Sequence, residues 1–438
     1  MRHLLLIAHF FPPMGGGGVQ RVTKFVKYLE GCGWRTTVIA GRPEDYWMRD
    51  DSLLAGVPAS CRVERTAAAS GIALLRTLRP GPGGKSAATT SRRSSRLFGV
   101  LRRAGSWFLV PDTYVGWRPF AERAARAVLL RDPAEAIVTS GPPETNHLVG
   151  LTLQRETGLP WLADFRDPWF QLHLHPAPTS WHRARHARLE SAVLAHADAV
   201  TATTSWLEEL LRARAPRPLE RLQVIRNGFD AEDFPAPPPP RPPESPLRLV
   251  HAGMLTLTRT AAGLLAGLRR IHARHPELRH AFEVELIGAR ESNNDAAASA
   301  ADLADVVRLR DYVPHRDAIA AMQQADVLVL IKHVEARFRG LIPGKLYEYM
   351  GAGRPILALV PDSEAADLVR DLGWGEVVAP EDADAIATAL LRLLEHKRAG
   401  HLATAYPMRG REQFERRAQA AALAALLADI TATREPRR

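Results

Sequence analysis

A lysine and a glutamate stand one helical turn apart in the segment 339–360, RGLIPGKLYEYMGAGRPILALV. The pattern predicts a loop, a short helix beginning near Pro343, a glycine stop and a buried strand from Ile356. Free backbone N–H groups at that helix start, with Lys345 in the first turn, favour a phosphate. Glu348 shares a face with Lys345, so its carboxylate can bind a sugar hydroxyl nearby. These groups together suit a nucleotide; the alternative is an ordinary loop-helix-strand unit with one surface Glu–Lys pair.

A run of four glycines, Gly15–Gly18, lies between an apolar strand and a helix and is a second candidate phosphate site. Glycine allows close backbone approach to a ligand, and a helix start favours negative charge. The run lacks the third glycine, within the helix, of the dinucleotide GxGxxG pattern. A plain tight turn is the alternative.

Three charged residues, Asp164, Arg166 and Asp167, follow a predicted strand at its carboxyl end. Two carboxylates flanking an arginine can bind a polyol or orient a sugar. Because they follow a buried strand, the alternative is a structural salt bridge inside the fold.

Metal ligation is not expected. Asp382 and Asp384 match a DxD pattern formally, but they directly precede a predicted helix, where N-capping and a first-turn acid explain them. The two cysteines, Cys32 and Cys61, have no metal-site spacing and favour a reducing compartment.

Buried apolar runs separated by helical patterns predict two α/β halves, each a doubly wound parallel sheet. Strands are predicted at 4–10, 36–40, 136–140, 160–163, 199–202 and 223–225, and after residue 246 at 247–253, 282–288, 306–309, 327–331 and 356–360. The segment between the halves, 235–246, has eight prolines in twelve residues, which is typical of a stiff linker. Ligands of such sheets bind at the carboxyl ends of the strands, so a cleft between the halves is expected.

The net charge of +10 admits nucleic acid, an anionic membrane surface or acidic ligands as partners. No nucleic-acid module signature is present, no apolar run approaches the ~20 residues of a membrane span, and no cleavage site follows the first strand. A cytoplasmic protein is therefore expected.

The segment 81–106 contains six Lys and Arg and no acid, with apolar and aromatic residues among them. It predicts either an amphipathic region on an anionic membrane or a loop followed by a packed helix.

Motifs spread over nearly the whole chain resemble those of the glycosyltransferases of family 4, which have the GT-B fold. "KLYEYMGAGRPILA" looks like the family's donor-site signature, and "HFFPPMGGGGVQRVTKFVKYLEGCGWRTTVIAG" like its first strand, glycine loop and first helix. "VIRNGFD" resembles a segment before the family's domain linker. "TSGPPETNHLVG" and "LPWLADFRDPW" resemble a bacterial branch that works on surface glycans.

The resemblance implies two Rossmann-like domains facing each other across a cleft, and a retaining transferase that uses a nucleotide-diphosphate sugar without a metal or other cofactor. The domains would be 1–234 for the acceptor, with a mobile basic insertion at about 71–118, then the linker 235–246, 247–410 for the donor, and a helix in 411–438 returning to the first domain. The acceptor would be a glycan, a lipid-linked sugar or a small hydroxyl compound, held near the candidate catalytic residues Asp164, Arg166 and Asp167. The donor would contact Gly16, Gly17, Gly253, Arg259, Leu341, Ile342, Lys345 and Glu348.

The chain departs from the family pattern at several positions. Met254 stands where an arginine of the phosphate clamp is expected, and Lys345 would compensate. Gly340 stands where the first glutamate of an E-x7-E pair is expected, so only Glu335, on a longer loop, could replace it. Gly141 occupies the position of an active-site histidine in the family's first domain. His147 lies inside the next helix, where packing is the simpler role. These losses motivate one alternative, an inactive GT-B subunit that binds or activates a partner transferase. A sugar-nucleotide epimerase, which shares the fold, is a second alternative.

Overall fold

The structure is a computed structural model of the chain that describes residues 1–46, 48–68, 109–169, 177–236, 238–256, 259–288, 302–332, 335 and 340–433. It divides into two compact units. Unit 1 comprises Met1–Arg226 with Gln419–Arg438, and unit 2 comprises Asn227–Ala418.

Unit 1 contains a parallel sheet of seven strands in the order β3-β2-β1-β4-β5-β6-β7. The strands are β1 Arg2–Ile7, β2 Trp34–Gly41, β3 Arg62–Thr66, β4 Ala136–Gly141, β5 Trp161–Phe165, β6 Ala199–Ala202 and β7 Leu222–Val224. The helices described are α1 Gly17–Leu29, α2 Arg118–Arg131, α3 Thr145–Thr157, α4 Ser180–His196 and α5 Ser205–Arg214. The order reverses beside β1, so the carboxyl end of β1 is the place where a doubly wound sheet binds its ligand.

The central strand β1 is apolar because both of its faces are covered by helices. Leu5 and Ile7 pack in one core with α2 and α3, whereas Leu4 and Leu6 pack in a second core with α1. That second core also receives Leu423 from the last helix, α12 (Arg416–Ala432). Burial of this alternating set fixes the register of β1, since a slip of one residue would exchange its two faces.

Unit 2 contains a parallel sheet of six strands in the order β10-β9-β8-β11-β12-β13. The strands are β8 Leu247–Ala252, β9 Phe282–Ile287, β10 Val307–Arg310, β11 Val327–Ile331, β12 Ile356–Leu359 and β13 Gly375–Val378. The helices described are α6 Ala262–Arg274, α7 His315–Gln324, α8 Gly344–Ala352, α9 Glu364–Asp371, α10 Ala383–Arg398 and α11 Leu402–Ala405, and they are followed by α12 Arg416–Ala432. The sheet again reverses its order beside its first strand, β8. Both units are therefore Rossmann-like, and the predicted α/β fold class is confirmed.

Eleven of these strands match predicted runs to within a few residues, but the edge strands β3 and β13 were not predicted. Their sequences, RVERT and GEVV, are short and mixed in polarity because an edge strand is only partly buried. The last helix begins at Arg416, later than the expected start near residue 411. From Gln419 onward it belongs to unit 1, where Leu423, Leu427 and Ile430 join the core around α1.

The proline-rich segment 235–246 belongs to unit 2, and the division between the units falls before it, after Arg226. Arg354 donates a hydrogen bond to the carbonyl of Pro238 at 3.3 Å, and Lys397 donates one to that of Pro246 at 3.2 Å. Arg241 pairs with Glu283 at 3.3 Å. The segment is thus attached to the surface of unit 2 along its length.

Most of the predicted basic insertion, residues 69–108, lies outside the described residues. Its last part is described, and there residues 115–117 form a single turn before α2 begins at Arg118. Among the described residues, no helix is long and apolar enough to cross a membrane.

Candidate functional site

Helix α8 carries the predicted lysine and glutamate at the carboxyl edge of the unit 2 sheet. Pro343 precedes it, and Gly353 ends it with a left-handed φ of 67° and an N–H bonded to the carbonyl of Met350. The side chains of Leu346 and Tyr349 are fully buried, so the helix is fixed on the sheet. Because the N–H of Leu346 bonds to the Pro343 carbonyl, the N–H groups of Gly344 and Lys345 are the first ones available to a ligand.

Lys345 and Glu348 form the ion pair that their spacing predicts, with Nζ 2.6 Å from Oε2. The other carboxylate oxygen of Glu348 lies 3.6 Å from Nε2 of His315, at the start of α7. Burial opposes ionisation of Glu348, but neighbouring His315 and Lys345 lower its pKa below the ordinary value. Glu348 in turn raises the pKa of His315. The carboxylate is therefore ionised at neutral pH and half-buried, as a ligand for sugar hydroxyls should be.

Gly253 ends strand β8 directly beside this helix. A Cβ at Gly253 would lie 3.7 Å from Cε of Lys345 and 3.3 Å from Nε2 of His251. Gly288, which ends β9 with a φ of +133°, approaches so closely that a Cβ on it would be 2.4 Å from the Gly253 carbonyl oxygen. Gly288 thus allows the two strand ends to approach closely, and Gly253 presents backbone without a side chain next to the lysine.

Arg259 lies on a turn closed by two backbone hydrogen bonds with Thr256, at 3.0 and 3.2 Å. Its Nε has no hydrogen-bond partner among the described residues, and burial lowers its pKa. Its charge also acts on His251 and on Tyr349, so it belongs to the same cluster as Lys345. The structure therefore brings Gly253, Arg259, Lys345 and Glu348 into one group of neighbours within unit 2.

The two residues before the helix, Leu341 and Ile342, are half-buried, and Ile342 packs against the core beneath α8. Gly340 is buried. Glu335 is described, but residues 333–334 and 336–339 around it lie outside the described part of the chain. The suggestion that Glu335 replaces the missing glutamate stays a prediction.

In unit 1, Gly16 has a φ of +106° and forms the N-cap of α1, which begins at Gly17. A residue with a side chain would be strained at Gly16, so glycine is required by the backbone itself. The loop is held by a hydrogen bond from the N–H of Gly15 to the Met48 carbonyl at 3.2 Å. The carbonyl of Gly18 accepts a hydrogen bond from Arg166, which joins the loop to the end of β5.

Asp164 is completely buried in an ion pair with Arg21 of α1, at 2.8 Å between Oδ1 and Nη2. Ser140 and Thr201 each donate a hydroxyl hydrogen bond to the carboxylate at 2.7 Å. Burial opposes ionisation, but the charge of Arg21 and these hydrogen bonds lower the pKa of Asp164 to about 2. Arg21 also donates to the carbonyls of residues 225 and 226. These contacts fit the salt-bridge alternative for Asp164, because the carboxylate has no exposed surface.

Arg166 is half-buried and uses its guanidinium to hold three loops together. Its Nε donates to the Gly141 carbonyl at 3.0 Å, and its terminal nitrogens donate to the carbonyls of Gly18 and Pro142. Burial lowers its pKa, whereas neighbouring Asp167 raises it. Asp167 is also half-buried. Of the three predicted residues, Arg166 and Asp167 are the two that reach the surface at the carboxyl edge.

Three residues with a place in these sites were not singled out from the sequence: Arg21, His251 and His315. Arg21 falls on the buried face of an amphipathic helix, and His251 interrupts an apolar strand; both are weak signals. His147 is buried, stacks on Phe165 at 4.5 Å and shares a 2.7 Å hydrogen bond with Thr139, as the packing interpretation expects.

Asp382 caps α10 as predicted, by accepting a hydrogen bond from the Ala385 N–H at 2.9 Å. Asp384 pairs with Arg274 at 2.8 Å. Within the described ranges, no group of three or more His, Cys, Asp or Glu side chains is arranged to hold a metal ion.

Two family models match the chain along most of its length. The model described as "Glycosyl transferase 4-like domain" matches residues 16–228, and the model described as "Glycosyl transferases group 1" matches residues 247–396. Their boundary falls between the two sheets. The chain belongs to the glycosyltransferase family that these two models together describe, and it is a glycosyltransferase of the GT-B type. A search of curated protein sequences finds no significant match.

Solved structures share this fold at low identity. Sucrose-phosphate synthase from Thermosynechococcus elongatus is 18% identical, with a TM-score of 0.64 over 99% of this chain and 100% of that one. HepE of Anabaena, in complex with UDP-glucose, is 15% identical, with a TM-score of 0.59 over 98% of this chain and 100% of that one. WaaG, described as a glycosyltransferase involved in lipopolysaccharide biosynthesis, is 14% identical, with a TM-score of 0.57 over 97% of this chain and 99% of that one.

Proposed function

We propose that this chain is a retaining glycosyltransferase that moves a sugar from a nucleotide-diphosphate sugar to an acceptor hydroxyl in the synthesis of a bacterial polysaccharide, glycolipid or related glycan. The observation that carries the proposal is in unit 2. Lys345 lies beside the bare backbone of Gly253, the charge of Arg259 acts on nearby His251, and the carboxylate of Glu348 lies one helical turn after Lys345.

In this proposal the diphosphate binds over Gly253, at the N-terminus of α8. The N–H groups of Gly344 and Lys345 point toward an anion there, and the helix dipole adds to their attraction. The Nε of Arg259, which lacks a protein partner among the described residues, donates to a phosphate oxygen. Glu348 accepts a hydrogen bond from a ribose hydroxyl, in keeping with its lowered pKa.

The same groups serve the reaction. The acceptor oxygen forms a bond to the anomeric carbon while the bond from that carbon to the phosphate oxygen breaks, and the acceptor proton passes to the leaving phosphate. Negative charge grows on the diphosphate in this step, so Lys345 and Arg259 stabilise the transition state more than the ground state. Attack on the face that the phosphate leaves retains the configuration, as the resemblance to family 4 implies. No metal is required if these cations provide the stabilisation.

We assign the acceptor to the carboxyl edge of the unit 1 sheet, beside Gly16 and Gly17. Arg166 and Asp167 are its proposed polar contacts, because both reach the surface there. Asp164 acts through Arg21 as a positioning residue, since its carboxylate is buried and holds α1 against β5. The bound acceptor must present a hydroxyl to the anomeric carbon; its identity as a glycan, lipid-linked sugar or small molecule is open to a screen.

A donor screen followed by product analysis tests the proposal. A nucleotide sugar at 100 times its Kd should stabilise the protein by about 2.7 kcal/mol, which a thermal melt resolves. The sugar that stabilises should then be transferred to an acceptor from a glycan and glycolipid panel, and NMR of the product should show the donor's own anomeric configuration. The donor site is wrong if no nucleotide sugar raises the melting temperature, and retention is wrong if the product is inverted.

A further inference from the structure

A buried histidine lies behind the proposed diphosphate site. His251 is the penultimate residue of β8 and is 3% exposed. Its Nδ1 lies 2.9 Å from the Val329 carbonyl of β11. Because a carbonyl only accepts, Nδ1 carries the hydrogen, and in the neutral ring Nε2 presents a lone pair.

That lone pair accepts no hydrogen bond from the described residues, and it lies beside the proposed ligand position. Nε2 is buried and has no hydrogen-bond partner in the described part of the chain. It lies 3.3 Å from the point that a Cβ on Gly253 would occupy, and Lys345 Cε lies 3.7 Å from the same point. Nε2 and Lys345 therefore lie on the same side of Gly253, next to the position proposed for the diphosphate.

Two acceptors facing each other repel, so neutral His251 opposes a phosphate at this position. One proton removes the conflict: Nδ1–H keeps its bond to Val329, and a new Nε2–H donates to the phosphate oxygen. We propose that His251 takes up one proton from solvent when the diphosphate of the donor binds, and that it then holds a phosphate oxygen together with Lys345 and Arg259. This inference rests on the proposed donor site in unit 2.

The surroundings of His251 explain why the proton is absent until the ligand arrives. Burial, together with the charges of Arg259 and Lys345, lowers the pKa of His251 to about 4. From α8 it also faces Tyr349, whose hydroxyl donates to the same Val329 carbonyl at 3.2 Å. Its neighbour on β9 is the apolar Leu286. A bound diphosphate supplies the negative charge that this group of cations lacks, and it raises the pKa of His251.

The sign of the pH effect follows from this linkage. A group that is protonated only in the complex makes binding weaker as pH rises between its free and bound pKa values. The Kd for the donor should therefore rise by up to about tenfold per pH unit in that window, which begins near pH 4 in the free protein.

Calorimetry with a nucleotide sugar measures the proton directly. UDP-glucose is the first probe, followed by GDP-, ADP- and dTDP-sugars; all are diphosphate diesters and avoid the second ionisation near pH 6 of a terminal phosphate. Titration at pH 6 in buffers of different ionisation enthalpy should show uptake approaching about one proton per ligand bound. Binding with no uptake, both in the wild type and in the His315→Gln variant described below, overturns the inference but leaves the donor site standing, whereas no binding by any probe overturns both.

Two substitutions at His251 test the roles of its two ring nitrogens separately. His251→Asn keeps a donor for the Val329 carbonyl but has no atom at the Nε2 position, so it should bind more weakly and take up no proton. His251→Gln places an amide N–H near the Nε2 position without titrating, so its Kd should be independent of pH between pH 5 and 7. Uptake that persists in either variant refutes the assignment.

Two control variants exclude other histidines. His315→Gln removes the imidazole beside Glu348, whose pKa is raised by that carboxylate; if ribose engages Glu348, His315 should release a proton rather than bind one. The His315→Gln protein must therefore show uptake at least as large as the wild type. His272→Asn on α6 changes another histidine whose Nε2 has no partner among the described residues, and it should leave uptake unchanged.

Discussion

Removal of the Glu348 carboxylate should weaken donor binding while leaving the fold intact. Oε2 is occupied by Lys345 at 2.6 Å, but Oε1 lies 3.6 Å from His315, beyond normal hydrogen-bond length. Oε1 is thus available to one ribose hydroxyl. A hydrogen bond to a charged group is worth about 1.5–3 kcal/mol, so Glu348→Ala should raise the donor KM and Kd by about 10- to 150-fold.

The stability of the variant should change little. The side chains of Lys345 and Glu348 are 34% and 22% exposed, and ion pairs open to solvent contribute about 0–1 kcal/mol. The melting temperature should therefore fall by no more than about 2–4 °C. Asp367→Asn is the matched control, because Asp367 forms the same i,i+3 type of pair with Arg370 on α9, at 3.2 Å.

The assay combines calorimetric binding of the nucleotide sugar with initial rates at varied donor concentration. Glu348→Gln should fall between wild type and Glu348→Ala, since the amide keeps one acceptor oxygen without its charge. A folded Glu348→Ala protein with the donor affinity of the wild type would refute the ribose assignment. An equal loss in Asp367→Asn would show that the effect is not local to the site.

Three further predictions concern the metal, the buried ion pair and the basic segment. Excess EDTA should leave the transfer rate within about twofold, because Lys345 and Arg259 supply the positive charge; loss that magnesium or manganese restores would contradict this. Asp164→Asn should lower the free energy of unfolding by about 3–5 kcal/mol in urea melts, because it leaves Arg21 buried and unpaired, whereas half-buried Asp167→Asn should cost much less. The pKa of Asp164 is lowered to about 2, so its contribution is complete above the unfolded value near 4 and is lost as pH falls toward 2; a wild-type advantage over Asp164→Asn that persisted at pH 2 would argue against the ion pair. The wild-type protein should sediment with anionic vesicles at low salt and be released as salt rises. Replacement by serine of the five arginines of the basic segment should abolish sedimentation without changing donor binding; these are Arg92, Arg93, Arg96, Arg102 and Arg103. Failure of the wild type to bind the vesicles would exclude a membrane role for these arginines.

Much of the fold could be predicted because buried parallel strands are continuous apolar runs. β6 and β11 were placed at the observed residues, since helices cover both of their faces. The edge strands β3 and β13 lack that signal. The sequence also predicts local contacts: the i,i+3 spacing of Lys345 and Glu348 on a helix predicts their ion pair.

The missed contacts join residues that are distant in sequence. Arg21 reaches Asp164 only because β5 lies near α1 in the folded sheet, and spacing in the sequence carries no information about that distance. The sequence does not mark His251 as a site residue either, because a histidine within an apolar strand is usually a packed side chain whose hydrogen bonds are satisfied. The role of its Nε2 depends on Val329 and Gly253, which only the folded chain brings next to the ring.

The return of α12 to unit 1 has a consequence for how the chain is made. Leu423, Leu427 and Ile430 complete the core around Leu4 and Phe25, yet they leave the ribosome after all of unit 2. The core of unit 1 cannot be completed until about 200 further residues have been synthesised, which takes roughly 10–40 s at bacterial and eukaryotic elongation rates. During that interval the outer side of α1 has no cover, whereas unit 2 is already contiguous and free to fold. Synthesis from the N-terminus therefore supplies all of unit 2 before the last residues of unit 1, and the uncovered side of α1 is a defined surface on which chaperones can act during that interval.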